Sequence, residues 1–377
     1  MESTLNDKRF VVTGGAGFIG TNFVRMLVKM GAQVRVVDAL TYAGNAENLE
    51  RVIPAGAFLH ADIADSAAVG ALLAEFDPHY VVNFAAESHV DRSVMDPKPF
   101  VDTNIAGMQA LLETTRRHIA SNPCCAFEKF VQVSTDEVYG DLEADCPAPV
   151  HADTATEAAL GRPALLYGTR TFSESTPLAP SSPYSASKAA ADMMALAYHR
   201  TFGFPVVVTR CSNNYGPYQF PEKLIPLMIN NMLEHRPLPV YGRGLNVRDW
   251  IYVDDHCRGV LLAATRGIPG EVYNFGGYSE QRNIDIVRLL LEKVRLLTGD
   301  KAVDESLITY VADRPGHDRR YAIDASKAMK TLGWRPLVDF GPGLESTVRW
   351  YLDNVQWVRN IVSGQYRNYY RKMYEGR

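Results

Sequence analysis

The chain is poor in cysteine, and none of it is patterned. Its five cysteines, Cys124, Cys125, Cys146, Cys211 and Cys257, make no CxxC pair and no regular framework. That excludes a disulfide-stapled fold and leaves reduced packing thiols, with the adjacent Cys124–Cys125 pair as the one redox alternative. There is no HExxH, no Cys/His cluster at zinc spacing and no acidic calcium loop, so no metal is expected. Neither charge sign dominates: 39 basic against 43 acidic side chains give a net charge of −4, without a basic stripe. Phosphate-tracking nucleic-acid binding is therefore not expected. No apolar run is long enough to span a bilayer, and MESTLNDKRF carries charges where a signal peptide needs an apolar stretch. The expectation is a soluble, cytoplasmic protein. Its 377 residues, 46% hydrophobic and 22% charged, suffice for a full core without covalent staples.

What is present is an alternation of short apolar runs and helical patterns over the first 140 or so residues. This is the signature of βαβ units and a parallel sheet. Strands are expected at 10–12, 33–37, 57–59, 80–84 and 130–134. Helices are expected at 18–30, 67–76 and 101–119. From about Glu143 to Pro180 the rhythm fails in a stretch rich in Ala, Pro, Thr and Ser. It resumes with a helix from Tyr184 to about Phe202 and a strand at 206–209. Mixed elements follow: helices at 223–233, 254–264, 284–297 and 343–354, and strands at 238–241 and 272–275. The predicted architecture is α/β: a doubly wound parallel sheet (Rossmann type) with a smaller, mixed α/β C-terminal substrate lobe. Residues 1–216 would form the dinucleotide domain and 217–377 mainly the lobe, with the chain returning to the sheet near 249–276.

Gly14, Gly17 and Gly20 stand three apart between the first strand and its helix. Glycine there lets backbone N–H groups approach a pyrophosphate at the positive end of the helix. The spacing is GxxGxxG rather than GxGxxG, so context decides. Asp38 ends the next strand, where a carboxylate accepts from the adenosine ribose, and no arginine follows immediately to receive a 2′-phosphate. That favours NAD over NADP. Asp62 has the position of a residue near the adenine, with an exposed turn as the alternative. Asn83-Phe84-Ala85-Ala86 ends the fourth strand with small residues that permit close passage of a cofactor.

Tyr184 and Lys188 stand four apart on a helix and share a face. An ordinary tyrosine is a poor base at neutral pH; a neighbouring ammonium together with a positive nicotinamide ring is expected to lower its pKa. Thr135 ends the fifth strand and can hold a substrate hydroxyl beside the phenol. Asp136 and Glu137 follow directly, at the carboxyl end of a parallel strand where open sheets bind ligands. Two adjacent acids serve an elimination if their surroundings push their pKa values apart; an isolated pair would otherwise be a solvated turn.

TGGAGFIG, the acid after the second strand and YxxxK together resemble the extended short-chain dehydrogenase/reductase family. AAESHVDRS (85–93), SPYSASK (182–188), CSNNYGP (211–217), FPEKLIP (220–226), RDW (248–250) and DRPGHDRRY (313–321) resemble its nucleotide-sugar dehydratase branch. The resemblance runs through WYLDN (350–354) towards the tail and implies NAD held tightly and recycled. It implies a nucleotide-sugar substrate, dTDP-glucose, dehydrated at C5/C6 after oxidation at C4. Tyr184, Lys188 and Thr135 would serve the oxidation, Glu137 would take the C5 proton and Asp136 would protonate the leaving hydroxyl. Beyond the residues already named, it implies cofactor contacts at Phe18, Ile19, Leu40, Thr41, Gly44, Ile63, Ser88, Thr103 and Asn214. Substrate contacts are implied at Ser88, Thr135, Asn213, Lys223, Leu224, Pro239, Tyr241, Arg248, Asn283, Asp313 and His317. Arg248 and Lys223 also suit a nucleotide diphosphate as cations, with surface pairing as the alternative. A homodimer through the 101–119 and 184–202 helices is implied too. The alternatives are a dehydratase of UDP- or CDP-glucose, an epimerase or decarboxylase of the same family, and, remotely, a non-catalytic NAD-binding scaffold. The stretch 142–172 departs from the family pattern and is expected near the site mouth, as a lid or as a surface insertion.

Overall fold

The computed structural model describes residues 5–142 and 170–362. In the first half, Val-rich strands alternate with helices: β1 (Arg9–Thr13), α1 (Phe18–Lys29), β2 (Gln33–Asp38), β3 (Phe58–His60), α2 (Ser66–Phe76) and β4 (Tyr80–Asn83). Then come α3 (Val90–Met95), α4 (Lys98–Val101), α5 (Met108–Ser121), β5 (Lys129–Thr135), α6 (Pro183–Phe202) and β6 (Val206–Cys211). The second half holds β7 (Asn213–Tyr215), α7 (Leu224–Leu233), β8 (Leu238–Tyr241), β9 (Val247–Tyr252), α8 (Val253–Arg266) and β10 (Val272–Phe275). It ends with β11 (Glu280–Arg282), α9 (Asn283–Thr298), β12 (Ile308–Val311), α10 (Ser326–Leu332), α11 (Phe340–Asp353) and α12 (Val355–Ile361).

Seven strands form one parallel sheet in the order β10-β6-β5-β4-β1-β2-β3. The order reverses between β1 and β4, the point at which open α/β sheets open a crevice beyond their strand ends. Alternation along β1 explains the two covered faces. Phe10 and Val12 pack with α1 and α8, whereas Val11 packs with α2, α5 and α6. From the second half of the chain, α8 packs on one face of this sheet and β10 pairs with β6 at its edge. A separate core of α7, α9 and α11 packs around β8 and β9. Two small sheets, β11-β9-β7 and β12-β8, complete the lobe.

The structure differs from the sequence reading in the helix over 101–119, in four short strands and in the short helices α3, α10 and α12, which span too few turns for periodicity to register. The single helix expected over 101–119 is instead α4, a π-helical segment Asp102–Gly107, and α5. Within the π segment, the Asn104 side chain bonds the Glu87 backbone at both N–H (2.9 Å) and C=O (3.0 Å), and Ser187 Oγ at 2.8 Å. A widened turn is the usual device for such a local demand, and periodicity does not register it. Strands β7, β9, β11 and β12 are not expected from the sequence, since runs of three to six residues are too short for alternation to register. The irregular stretch 142–172 and Cys146 fall almost wholly outside the described residues. Only the ends of that stretch are seen: Leu142 and Phe172 are buried beside Tyr139, Tyr321 and Ile323.

Candidate active site

A cavity opens at the carboxyl end of the seven-stranded sheet. Gly14 takes a left-handed φ of +66° at the β1–α1 turn, and a Cβ there would lie 2.5 Å from the Ala85 nitrogen beyond β4. Gly17 caps α1 without any side-chain hydrogen bond, no acid lies in the first turn, and both glycines line the cavity. The free N–H groups and positive end of α1 are thus offered to an anion with no Cβ in the way, which is what a pyrophosphate needs. Asp38 at the end of β2 braces this loop: Oδ2 accepts from Ala16 N–H at 2.9 Å and Oδ1 from Leu40 N–H at 2.8 Å. Burial raises its pKa while those two N–H donors oppose the rise. Each oxygen retains a lone pair for a ribose hydroxyl. Below the loop, Thr13 donates to Asn83 and Asn83 to Gln132, tying β1, β4 and β5 together.

The two acids owe their position to a short turn. Thr135 ends β5, and its Oγ accepts from Glu137 N–H at 3.3 Å, capping the 3-10 turn Asp136–Tyr139. Gly140 closes that turn at φ +87°, where a Cβ would come within 2.2 Å of the Ala179 carbonyl. The neighbours then diverge in environment. Asp136 is 1% exposed and one of its carboxyl oxygens, Oδ2, is buried without a hydrogen-bond partner. Burial first, then Glu137 and Asp249, push its pKa well up, with Arg248 as the opposing cation. Burial also raises Glu137, but three cations, Arg314, Lys223 and Arg248, act against it. Asp136 is held as an acid while Glu137 is drawn towards its charged form.

Ser182 caps α6 through a reciprocal box with Ser185, and Pro183 fills the first helical position. Tyr184 therefore stands in the first turn, at the positive end of the helix. Its phenol is 8% exposed, and burial with Glu137 nearby holds its pKa well above ordinary. Lys188, expected to lower it, donates instead to the Val133 carbonyl at 2.7 Å, and burial depresses the lysine's own pKa. The polypeptide alone therefore does not acidify the phenol: burial comes first, the nearby acids add to it, and the hydrogen bond with Thr135 opposes it.

All five catalytic candidates line this cavity, as do all the cofactor candidates except Leu40, whose backbone braces Asp38 instead. Of the substrate candidates, Ser88, Thr135, Asn213 and Lys223 line it. Lys223 Nζ donates to the Ser88 carbonyl at 2.8 Å. Leu224, Pro239, Tyr241, Arg248, Asn283, Asp313 and His317 do not line it. Several of these form a flanking cluster. The Tyr241 hydroxyl donates to Asp91 (3.1 Å), and His317 pairs with Asp313 (2.5 Å). Burial pulls the His317 pKa down to about 4. Arg248 lies 4.2 Å over the Tyr321 ring and donates to the Val247 and Asp318 carbonyls, both at 2.8 Å. Its charge acts on both acids from the side.

Four charged residues had gone unread as functional. Arg314 pairs with buried Asp91 at 3.1 Å and is the largest charge favouring ionised Glu137. Arg92 pairs with buried Glu222 at 3.1 Å and stacks 3.8 Å from the Tyr42 ring. All four sit inside the motif stretches 85–93, 220–226 and 313–321, so density of charge within those stretches was the available signal. Among the described residues no group of acids, histidines and cysteines is arranged for a metal, and no helix is long and apolar enough to cross a membrane.

Residues 10–276 match the model of the NAD dependent epimerase/dehydratase family. The chain belongs to that family. Among relatives, dTDP-glucose 4,6-dehydratase of Salmonella typhimurium is 47% identical over 375 residues, 98% of this chain and 99% of the relative. Among solved structures of the family, DesIV (dTDP-glucose 4,6-dehydratase) from Streptomyces venezuelae with NAD and TYD bound superposes with a TM-score of 0.80 at 43% identity. That match covers 94% of this chain and 99% of DesIV. UDP-glucose 4-epimerase from Thermotoga maritima, with UDP-glucose, superposes almost as well (TM-score 0.77, 92% and 99% covered) at 30% identity. Epimerases and dehydratases of the family thus share this fold, and side chains in the cavity must separate them.

Proposed function

We propose that the chain is an NAD-dependent dTDP-glucose 4,6-dehydratase, a hydro-lyase giving dTDP-4-keto-6-deoxyglucose. The observation that carries this reading is the adjacent pair Asp136 and Glu137, in one cavity with Tyr184 and with contrasting surroundings. Tyr184 takes the proton of the C4 hydroxyl, which Thr135 orients. Held by the glycine turn, the α1 N-terminus and Asp38, NAD would supply the hydride acceptor at C4 and the donor at C6, and its oxidised ring would add positive charge beside the phenol. Oxidation at C4 makes the C5 proton acidic. Glu137, favoured as a carboxylate by Arg314, Lys223 and Arg248, takes that proton. Asp136, protonated by burial, gives its proton to the C6 hydroxyl, and water leaves. Hydride addition at C6 and return of the Glu137 proton to C5 make the sequence redox-neutral, and a proton released by Tyr184 and one taken up by Asp136 through solvent restore the starting site. The glycine turn, the α1 N-terminus and Asp38 hold the dinucleotide; Asn213, Lys223 and the flanking Tyr241–Arg248–His317 cluster hold the nucleotide sugar.

The test is the mass of the product after incubation of purified protein with dTDP-, UDP- and CDP-glucose and no added reductant. Loss of one water from the dTDP sugar alone is expected. No loss from any of the three, with NAD supplied, would overturn the reading in favour of an epimerase.

We also propose a homodimer. Val94, Met95, Val101, Met193 and Phe202 are between 44% and 63% exposed on α3, α4 and α6, an apolar patch that a second copy would cover. Met193→Glu is expected to give a monomer by mass photometry; an unchanged mass would refute this interface. We read the enzyme as cytoplasmic: NAD and a nucleotide sugar as reactants support this, as do the unpaired cysteines Cys124 and Cys125.

A further inference from the structure

The far C-terminal helices meet the cofactor loop through side chains rather than packing alone. Trp357 on α12 donates its indole N–H to Asn48 Oδ1 at 2.7 Å. Asn48, 5% exposed, turns its amide nitrogen to the Ala16 carbonyl (3.2 Å) and to Thr21 Oγ (3.3 Å). Thr21 in turn donates to the Gly15 carbonyl at 3.3 Å. Gly15 and Ala16 are the inner residues of the turn between Gly14 and Gly17, the two glycines that line the cavity. With Ala16 N–H bound to Asp38, the turn is gripped at both its N–H and its C=O groups.

From this geometry we infer that Asn48 is a positioning residue for the dinucleotide loop, and that Trp357 orients it. The indole N–H can only donate, so it fixes which end of the Asn48 amide is oxygen and points the NH2 group at the loop. A flipped amide would turn its carbonyl oxygen towards the Ala16 carbonyl and release the turn. The loop's N–H groups, aimed at a pyrophosphate, would then lose their fixed direction. The consequence is for residence: a helix beyond residue 354 governs how long the cofactor stays. The inference rests on the NAD reading above.

The test compares Trp357→Phe with Trp350→Phe in the full chain. Both rings belong to one aromatic cluster with Tyr218: Trp350 lies 4.7 Å and Trp357 5.9 Å from its ring. Phenylalanine keeps a ring at each position, and only the first change removes the donor to Asn48. The measurements are exchange of bound NAD against isotope-labelled NAD, hydrogen exchange of amides 14–20, and Tm. Trp357→Phe is expected to release NAD about 3- to 10-fold faster, the effect of one hydrogen bond, with faster exchange at 14–20. Trp350→Phe is expected to alter Tm with NAD release near wild type. Equal NAD release from the two variants, or wild-type release from Trp357→Phe, would overturn the relay while leaving the NAD reading standing. A wild-type chain that takes up no NAD would overturn both.

Discussion

The carboxyl end of the sheet and the C-terminal lobe contribute opposite kinds of group to the site, the first lining the cavity and the second lining or flanking it. From the turn after β5 and the start of α6 come Asp136, Glu137, Tyr184 and Lys188, all with pKa values displaced first by burial. From the lobe come Lys223, Arg248 and Arg314, tied by ion pairs or carbonyl contacts, whose charges reach back to Glu137. The difference teaches a division of labour. Burial at the carboxyl end of the sheet pushes the pKa of both acids and of the phenol up; three of the lobe's cations oppose that rise at Glu137, and Arg248 alone of them opposes it at Asp136. On the proposed mechanism, reactivity depends on both regions.

The comparison is broken most severely by removing the base. Glu137→Gln is expected to lower product formation by about 10²–10⁴-fold in a mass-spectrometric rate assay. A loss of less than tenfold would mean the pair is incidental to the chemistry. Lys223→Met tests the lobe: KM for the nucleotide sugar should rise by about tenfold, the scale of one charge-assisted contact, and more than kcat falls. A pure kcat defect would contradict its assignment to binding.

Two smaller effects sharpen the comparison. Arg314→Met removes the largest charge favouring ionised Glu137, so the acidic limb of kcat/KM should move to higher pH, by up to about one unit. Arg314→Lys should restore most of it; no movement in Arg314→Met would refute the lobe's influence on the base. Asp136→Asn concerns stability. Burial raises this carboxyl above its unfolded value, so in the window between the two the folded chain keeps a proton that the unfolded chain has released. Stability therefore falls as pH rises through that window. Asparagine removes the effect, and Tm should rise by about 1–3 °C at neutral pH and show no gain near the ordinary carboxylate range. A gain independent of pH would contradict the assignment.

Much of this was legible because βαβ architecture fixes where strand ends go. Gly14, Asp38, Thr135 and the Tyr184–Lys188 pair each follow from one run of residues, and the sheet brings those runs together without further information. What escaped depends on contacts far apart in sequence. The Asp91–Arg314 pair spans 223 positions and the Trp357–Asn48 bond 309. The π segment at Asp102–Gly107 answers a local demand from Asn104, to which apolar periodicity is blind. Lys188 was legible as a neighbour of Tyr184 but not as a donor to Val133, because a shared helix face does not say which way a long side chain turns.

The most direct test follows the C4 hydrogen. dTDP-glucose carrying deuterium at C4 is incubated with the purified protein, without added reductant, and the product is weighed by mass spectrometry. The expected product is lighter by one water and retains the deuterium, as oxidation, elimination and reduction within one cavity require. An unchanged mass, or loss of water accompanied by loss of the label to the medium, would contradict an acid pair working between two halves of an internal hydride transfer.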